Sequence, residues 1–294
     1  MIKNKEFTNP KGGVRLDAAL LALAPTATKS FVKNAIALGD VTVNGRPAFK
    51  GLKLKGGEKI FVKTLLEEID NCVAPDKSVK VKCVFEDADI LAFDKPCAMP
   101  VQPLNCTEKG TLMNGVVSRY PECARVGDLP LMAGALHRID ANTSGLVIVA
   151  RNQKAFDALR AQFTNQTVEK TYLAMVEGDV AFEGTLENNL VHDPTLPFCK
   201  MIDISRARGS VNREKSMRAI TKYKPIGRTS VECESRTLLE VKIFTGVTHQ
   251  IRAQLSFAGM HIINDTLYGA FAVENQTGHF LHAVSAKLDR KSVV

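Results

Sequence analysis

From Val14 onward the apolar positions Leu16, Leu20 and Leu23 recur at helical spacing and stop at Pro25. A second helical pattern covers about 28–38 and ends at Gly39. Alternation then takes over. Residues 41–43 lead into Asn44-Gly45, a dipeptide suited to a tight hairpin turn, and 59–62, after Gly56-Gly57, predict a second strand. Residues 64–78 mix acids with a proline and hold no sustained period, so they are expected to form a linker. Beyond them, alternating or apolar segments at 79–85, 90–93, 145–150, 168–176 and 238–244 predict strands. Helical patterns are fewer. Asn152 is positioned to cap a helix with Ala155, Phe156, Leu159 and Phe163 inward. Thr248 is positioned to cap another, with Ile251, Leu255 and Ala258 inward and Gly259 as its stop. Irregularly spaced strands with few helices predict an α+β protein, in which a small helix-helix-strand module precedes a domain built on a mainly antiparallel mixed sheet. The expected boundaries are a tail over 1–13, the module over 14–63, the linker over 64–78 and the large domain over 79–294, with no internal repeat.

The 294 residues, 45% apolar and 24% charged, suffice for a buried core without metal or disulfide. No apolar run approaches the ~20 residues that span a bilayer, and 1–10 lack an apolar signal core, so a cytoplasmic protein is expected. Seven cysteines (72, 83, 97, 106, 123, 199 and 233) include no C-x-x-C pair and are read as reduced, packed thiols rather than zinc ligands. Charge is more telling when divided along the chain. Residues 1–63 hold ten Lys and two Arg against four acids, which is the whole net charge of +8, and the remainder is neutral. A small module carrying all the excess positive charge predicts a polyanionic partner, nucleic acid first; the competing reading is a lysine-rich solvated surface. Lys29 and Lys33, four residues apart, share one helical face and could follow a phosphate backbone.

Nucleotide-binding motifs are absent: there is neither G-x-x-x-x-G-K-[ST] nor G-x-G-x-x-G after a strand. His137-Arg138-Ile139-Asp140 has an extra residue relative to a kinase H-R-D loop, and no glycine-rich loop precedes it. His279-Phe-Leu-His282 lacks the acidic residue of a zincin, so no metal is expected there, and carboxylates at ligand spacing for a metal-dependent nuclease are missing. One segment carries most of the chemical signal: Leu136-His-Arg-Ile-Asp-Ala-Asn-Thr-Ser-Gly-Leu-Val-Ile-Val-Ala150. Arg-x-Asp followed by Thr-Ser-Gly before an apolar strand sets the Asp140 carboxylate in a tight turn at a sheet edge, held by hydroxyls and a glycine. For that aspartate alone two readings stay open: a fixed nucleophile, or a turn residue accepting backbone N–H bonds.

The helix-helix-strand order, with Thr28-Lys29-Ser30, Gly39-Asp-Val-Thr-Val-Asn-Gly45 and Gly56-Gly-Glu-Lys-Ile60, resembles the small RNA-binding module named after ribosomal small-subunit protein four. That resemblance implies structured-RNA binding through Lys29, Lys33 and Arg46. The Asp140 segment closely resembles the H-R-L-D-x-x-T-S-G-L signature of the RluA family of pseudouridine synthases. The likeness continues in Asp94-Lys-Pro-Cys-Ala-Met-Pro-Val-Gln-Pro103, Glu169-Lys-Thr-Tyr-Leu-Ala-Met-Val-Glu-Gly178, Thr245-Gly-Val-Thr-His-Gln-Ile-Arg252, Asp265-Thr-Leu-Tyr-Gly269 and Leu281-His282-Ala283, in the family's order.

Membership implies conversion of uridine to pseudouridine, an isomerisation with no net redox change and therefore no cofactor. Asp140 is then the essential carboxylate, either attacking the anomeric carbon or removing the 2′ proton to give a glycal. Tyr172 would stack on the uracil, and Arg252 would pair with Asp140 in a bidentate manner. Arg138 would fill the space left by a flipped nucleotide, and Thr143 and His249 complete the substrate-binding set. Asp94, Gln102, Val247 and Gln254 depart from the usual Asn, His, Arg and His; the loss at Val247 points to weaker phosphate contact or altered substrate choice. The resemblance makes ribosomal RNA of the large subunit the first substrate and tRNA the second, for a monomer with no membrane or metal partner. The competing class is a non-catalytic RNA-binding or RNA-folding protein on the same scaffold.

Overall fold

The computed structural model describes residues 1–9, 11–195, 200–207, 213–231 and 234–289. The chain divides into two compact units, Met1–Cys72 and Val73–Val294.

The smaller unit runs β1 (Ile2–Thr8), α1 (Leu16–Leu23), α2 (Lys29–Ala37), β2 (Val41–Val43), β3 (Arg46–Pro47) and β4 (Lys59–Leu65), with sheet order β1-β4-β2-β3. Thr28 caps α2 by accepting the Phe31 N–H at 3.2 Å, which satisfies one of the helix's free donors. Leu16, Leu20, Val32 and Ile36 close over Val41, Ile60 and Val62 from the sheet. Asn44 and Gly45 both take positive φ (48° and 76°), as the turn between β2 and β3 requires. The expected tail over 1–13 is instead largely a strand: β1 pairs antiparallel with β4 from Ile2↔Leu65 to Thr8↔Lys59. Its sequence IKNKEFT hides this, because an edge strand with one covered face keeps only Ile2 and Phe7 against the core and shows its charges to water. The segment 64–78 is likewise not one linker, since β4 continues to Leu65 and Val73 is buried in the core of the larger unit.

The larger unit runs β5 (Lys82–Glu86), β6 (Ile90–Lys95), α3 (Leu112–Arg119), β7 (Ser144–Ala150), α4 (Gln153–Thr164), β8 (Glu169–Glu177), β9 (Gly184–His192), β10 (Met201–Asp203), β11 (Met217–Val231), β12 (Glu234–Ile243), α5 (Gln250–Phe257) and β13 (Leu281–Lys287). Its nine strands lie in the order β10-β9-β11-β12-β8-β13-β7-β6-β5. The ladders are antiparallel except that between β13 and β7, so the sheet is mixed and mainly antiparallel, as the sequence predicts. β5, β6, β7, β8 and β12 fall on the predicted segments; β9, β10, β11, β13 and α3 were not foreseen. β11 shows why. It pairs with β12 through a register shift at Pro225 and Gly227, which breaks its pattern midway, and residues 228–231 beyond the shift are exposed on both faces.

Asn152 caps α4 as expected, accepting from Ala155 N–H at 2.9 Å. Thr248 does not cap α5: the cap position is His249, in the left-handed region at φ 52° with no side-chain cap bond. The Gln250 Oε1 ties down the segment before the helix, accepting from Thr245 Oγ1 (2.8 Å) and Val247 N–H (3.2 Å). Cys72, Cys83, Cys97, Cys106 and Cys123 are free thiols, while Cys199 and Cys233 lie outside the described residues. Among the described residues no helix is long and apolar enough to cross a membrane, and no cluster of three or more His, Cys, Asp or Glu could hold a metal ion.

Candidate active site

The parallel pair β7 and β13 can form because Gly145 stands opposite Ala283: a Cβ on that glycine, at φ 108°, would collide with the Ala283 carbonyl. The turn before β7 carries Asp140, so the carboxylate sits at the end of an interior strand and not at the edge of the sheet. Thr143 N–H donates to Asp140 O at 3.1 Å and closes the turn. The Thr143 hydroxyl, expected from the sequence to hold the carboxylate, instead lies 2.7 Å from His279 Nε2. Lys95, at the end of β6 and buried, fixes the same turn from below, with Nζ donating to the carbonyls of Pro96 (2.8 Å), Met99 (2.7 Å) and Ala141 (2.9 Å). Burial lowers its ammonium to about 8, partly offset by Cys97 and Asp140.

α5 brings Arg252 to the carboxylate. Its guanidinium does not take Asp140 in a fork. Nε and Nη2 donate to Oδ2 and Oδ1 of Asp265 at 2.6 and 2.8 Å, and the remaining Nη1 reaches Asp140 Oδ2 at 2.8 Å. Asp265 is almost fully buried. The bidentate pair therefore anchors the arginine, and its third arm orients Asp140. Burial opposes the charge on Arg252, but the two carboxylates outweigh it and hold its pKa above the ordinary value. His249 Nε2 lies 3.7 Å from the same Oδ2, and among the described residues no hydrogen bond reaches Oδ1.

A cavity of about 530 Å³ opens beside Asp140, a size that suits a nucleotide. Asp140, Arg138, Thr143, Tyr172, His249 and Arg252 all line it, with Gln102, Val247 and Lys170. Tyr172 comes from β8; burial and the nearby Asp140 charge both raise its phenol. Lys170, on the same strand, donates to the carbonyls of Phe244 (3.1 Å) and Thr245 (2.8 Å), and burial lowers it to about 8. Lys29, Lys33 and Arg46 belong to the smaller unit; Lys29 and Lys33 line a separate groove of about 360 Å³ there with Arg15 and Lys50. Of the departures, Asp94 pairs with Lys82 at 2.8 Å, Val247 packs against a cluster that includes Leu190 and Tyr268, and buried Gln254 bonds Thr221, Asn188 and Ala219. Sequence reasoning quoted Lys95, Lys170, Asp265 and Tyr268 inside the matched blocks but gave them no role, since nothing linear joins Asp265 to Arg252.

Three histidines around the site are held neutral. Burial is the leading cause for each: it lowers His137 to about 3, His279 to about 4 and His249 by a smaller amount. His137 Nε2 accepts the Ile148 N–H at 3.1 Å while its ring stacks on Phe163. An unfolded histidine takes up its proton near about 6.5, so below that pH the unfolded chain binds more protons than the folded one. Stability is full above about 6.5 and falls with decreasing pH by up to about 1.4 kcal/mol per unit per histidine. Urea midpoints at pH 7, 6 and 5 are expected to decline before most carboxylates titrate; a flat midpoint over that range would contradict the neutral assignment.

The Asp140 carboxylate and its anchored guanidinium thus share a cavity of nucleotide size. Residues 89–257 match the RNA pseudouridylate synthase family model. The chain is 32% identical over 257 residues to "Ribosomal large subunit pseudouridine synthase D" of Neisseria meningitidis, covering 87% of this chain and 64% of that protein. The same identity and length relate it to the protein of that name from Xanthomonas campestris pv. campestris, covering 72% of it. The fold is that of human RNA pseudouridylate synthase domain containing 1, with TM-score 0.58 and 22% identity over 73% of this chain and 80% of that one. The chain belongs to the RNA pseudouridylate synthase family.

Proposed function

We propose that this protein is an RNA pseudouridine synthase that isomerises uridine in structured RNA, with large-subunit ribosomal RNA as its substrate ahead of tRNA. One observation carries the reading: in a chain of this family, Asp140 lines the cavity with Oδ2 held by Arg252 and, among the described residues, no hydrogen bond to Oδ1. The reaction breaks the bond between the sugar and ring nitrogen 1, turns the uracil and rejoins it through carbon 5. Asp140 either bonds the anomeric carbon or removes the 2′ proton, and Oδ1 is free for both. Tyr172 offers a ring face to the base, and Arg138 stands at the cavity wall where a flipped nucleotide leaves its stack. The substrate preference is supported by the two bacterial relatives, each named ribosomal large subunit pseudouridine synthase D. A monomer acting in the cytoplasm fits this role. The deciding experiment is a pseudouridine map of total RNA from cells with and without the protein. Loss of one or a few ribosomal sites is expected; loss of tRNA sites would change the substrate, and an unchanged map would favour an RNA-binding protein on this scaffold.

The unit Met1–Cys72 is proposed as the RNA handle, of the type named after ribosomal small-subunit protein four. Support comes from its excess charge and from the groove that Lys29 and Lys33 share with Arg15 and Lys50; Arg46 lies on β3 of the same unit. Replacing Lys29 and Lys33 by Gln in the full chain should weaken binding. Each lost phosphate contact should also flatten the slope of log affinity against log salt by roughly 0.7 to 0.9. Filter binding at several salt concentrations measures this, and an unchanged slope would remove these lysines from the interface.

A further inference from the structure

Tyr268 lies behind the site, 3% exposed, in the loop between α5 and β13. Its hydroxyl has two partners among the described residues. The Met201 backbone N–H donates to the oxygen at 2.8 Å, and His249 Nδ1 lies 3.1 Å from it. A phenol carries one proton, and a buried one needs an acceptor. A backbone N–H can only donate, so that acceptor is His249 Nδ1. An Nδ1 that accepts bears no hydrogen, and the hydrogen of the neutral imidazole then resides on Nε2. Nε2 faces Asp140 Oδ2 at 3.7 Å. The opposite tautomer would bring two N–H or O–H hydrogens together at Tyr268 and turn a bare nitrogen lone pair toward a carboxylate at the other end. Both ends of the ring select the same form. His249 keeps φ 52° at the start of α5, a left-handed conformation that its neighbours hold in place.

We propose that Tyr268 is a positioning residue: its hydroxyl hydrogen locks His249 as the Nε2–H tautomer, which turns a donor rather than a lone pair toward Asp140 Oδ2. At 3.7 Å this contact is longer than a hydrogen bond, so its field adds to the Arg252 bond in holding Oδ2 and leaves Oδ1 to meet the ribose. The kinetic part of this inference rests on the reaction proposed above; the tautomer does not. The test uses the full-length protein with 15N-labelled histidine, whose side-chain spectra distinguish a protonated from a bare ring nitrogen, with His249→Asn assigning the signal. In the unmodified protein His249 should be protonated at Nε2 and bare at Nδ1. Tyr268→Phe keeps the ring that Arg252 and Lys200 flank at 5.1 and 5.4 Å and deletes only the hydroxyl. It should mix the two tautomers and lower kcat about tenfold, the worth of one hydrogen bond, on a large-subunit ribosomal RNA transcript with KM little changed. The variant also leaves Met201 N–H without its acceptor, so a drop in melting temperature is expected and decides nothing. His249 protonated at Nδ1 in the unmodified protein would overturn the proposal, and this measurement needs no variant. So would an unchanged His249 spectrum in Tyr268→Phe, or mixed tautomers with full kcat. An Nε2–H signal in a protein that forms no pseudouridine on any ribosomal or transfer RNA would uphold the tautomer and remove the reaction.

Discussion

Asp140→Asn is expected to abolish pseudouridine formation, by roughly 10⁴-fold or more in single turnover, while RNA affinity changes little. The amide has nearly the shape of the carboxylate but neither its nucleophilicity nor its basicity, so both routes to the broken glycosidic bond fail together. The fold should tolerate the change. Arg252 keeps its bidentate partner Asp265 when Asp140 becomes neutral, and the turn itself rests on backbone bonds from Thr143 and Lys95, which do not involve the carboxylate. The measurement is release or isomerisation of labelled uridine by excess enzyme, with binding followed in parallel on the same RNA. Turnover within tenfold of the unmodified protein would take the chemistry away from Asp140. A variant that binds RNA, folds normally and is inert is the expected result.

How much of this could be read beforehand depended on whether a feature is local. Asn152 caps its helix as the sequence predicts because a cap is decided within four residues, and Asn44-Gly45 turns as predicted for the same reason. The Asp140 segment was legible as chemistry because Arg-x-Asp and Thr-Ser-Gly lie beside one another. What could not be read are partnerships across the chain. β1 has no apolar stripe of its own and is a strand only because β4 offers it a ladder. The Thr143 hydroxyl, expected at the carboxylate, turns to His279, 136 residues away. Most consequential is Arg252: the sequence suggested a fork on Asp140, yet the fork closes on Asp265, and Asp140 receives one arm. Thr248 looked like a cap by residue type, but the cap position falls on His249 in the left-handed region, and no side chain caps the helix there.

That division of Arg252 between two aspartates makes its removal the second large effect, and one that separates scaffold from chemistry. Arg252→Ala should cost about 3 to 5 kcal/mol of stability, because it leaves Asp265, 2% exposed, as a buried carboxylate without its partner. Turnover should also fall by the equivalent of about 2 to 4 kcal/mol, because Asp140 loses the donor that fixes Oδ2. The single variant cannot show which loss comes from which contact. The double variant Arg252→Met with Asp265→Leu can. Replacing a buried ion pair by apolar side chains is commonly neutral or stabilising, so urea denaturation should show most of the lost stability regained. Turnover should stay low, since nothing in the pair of apolar residues donates to Asp140. If the double variant recovered turnover together with stability, Arg252 would act on the reaction only by keeping Asp265 from being stranded, and the 2.8 Å contact to Asp140 would carry no catalytic weight.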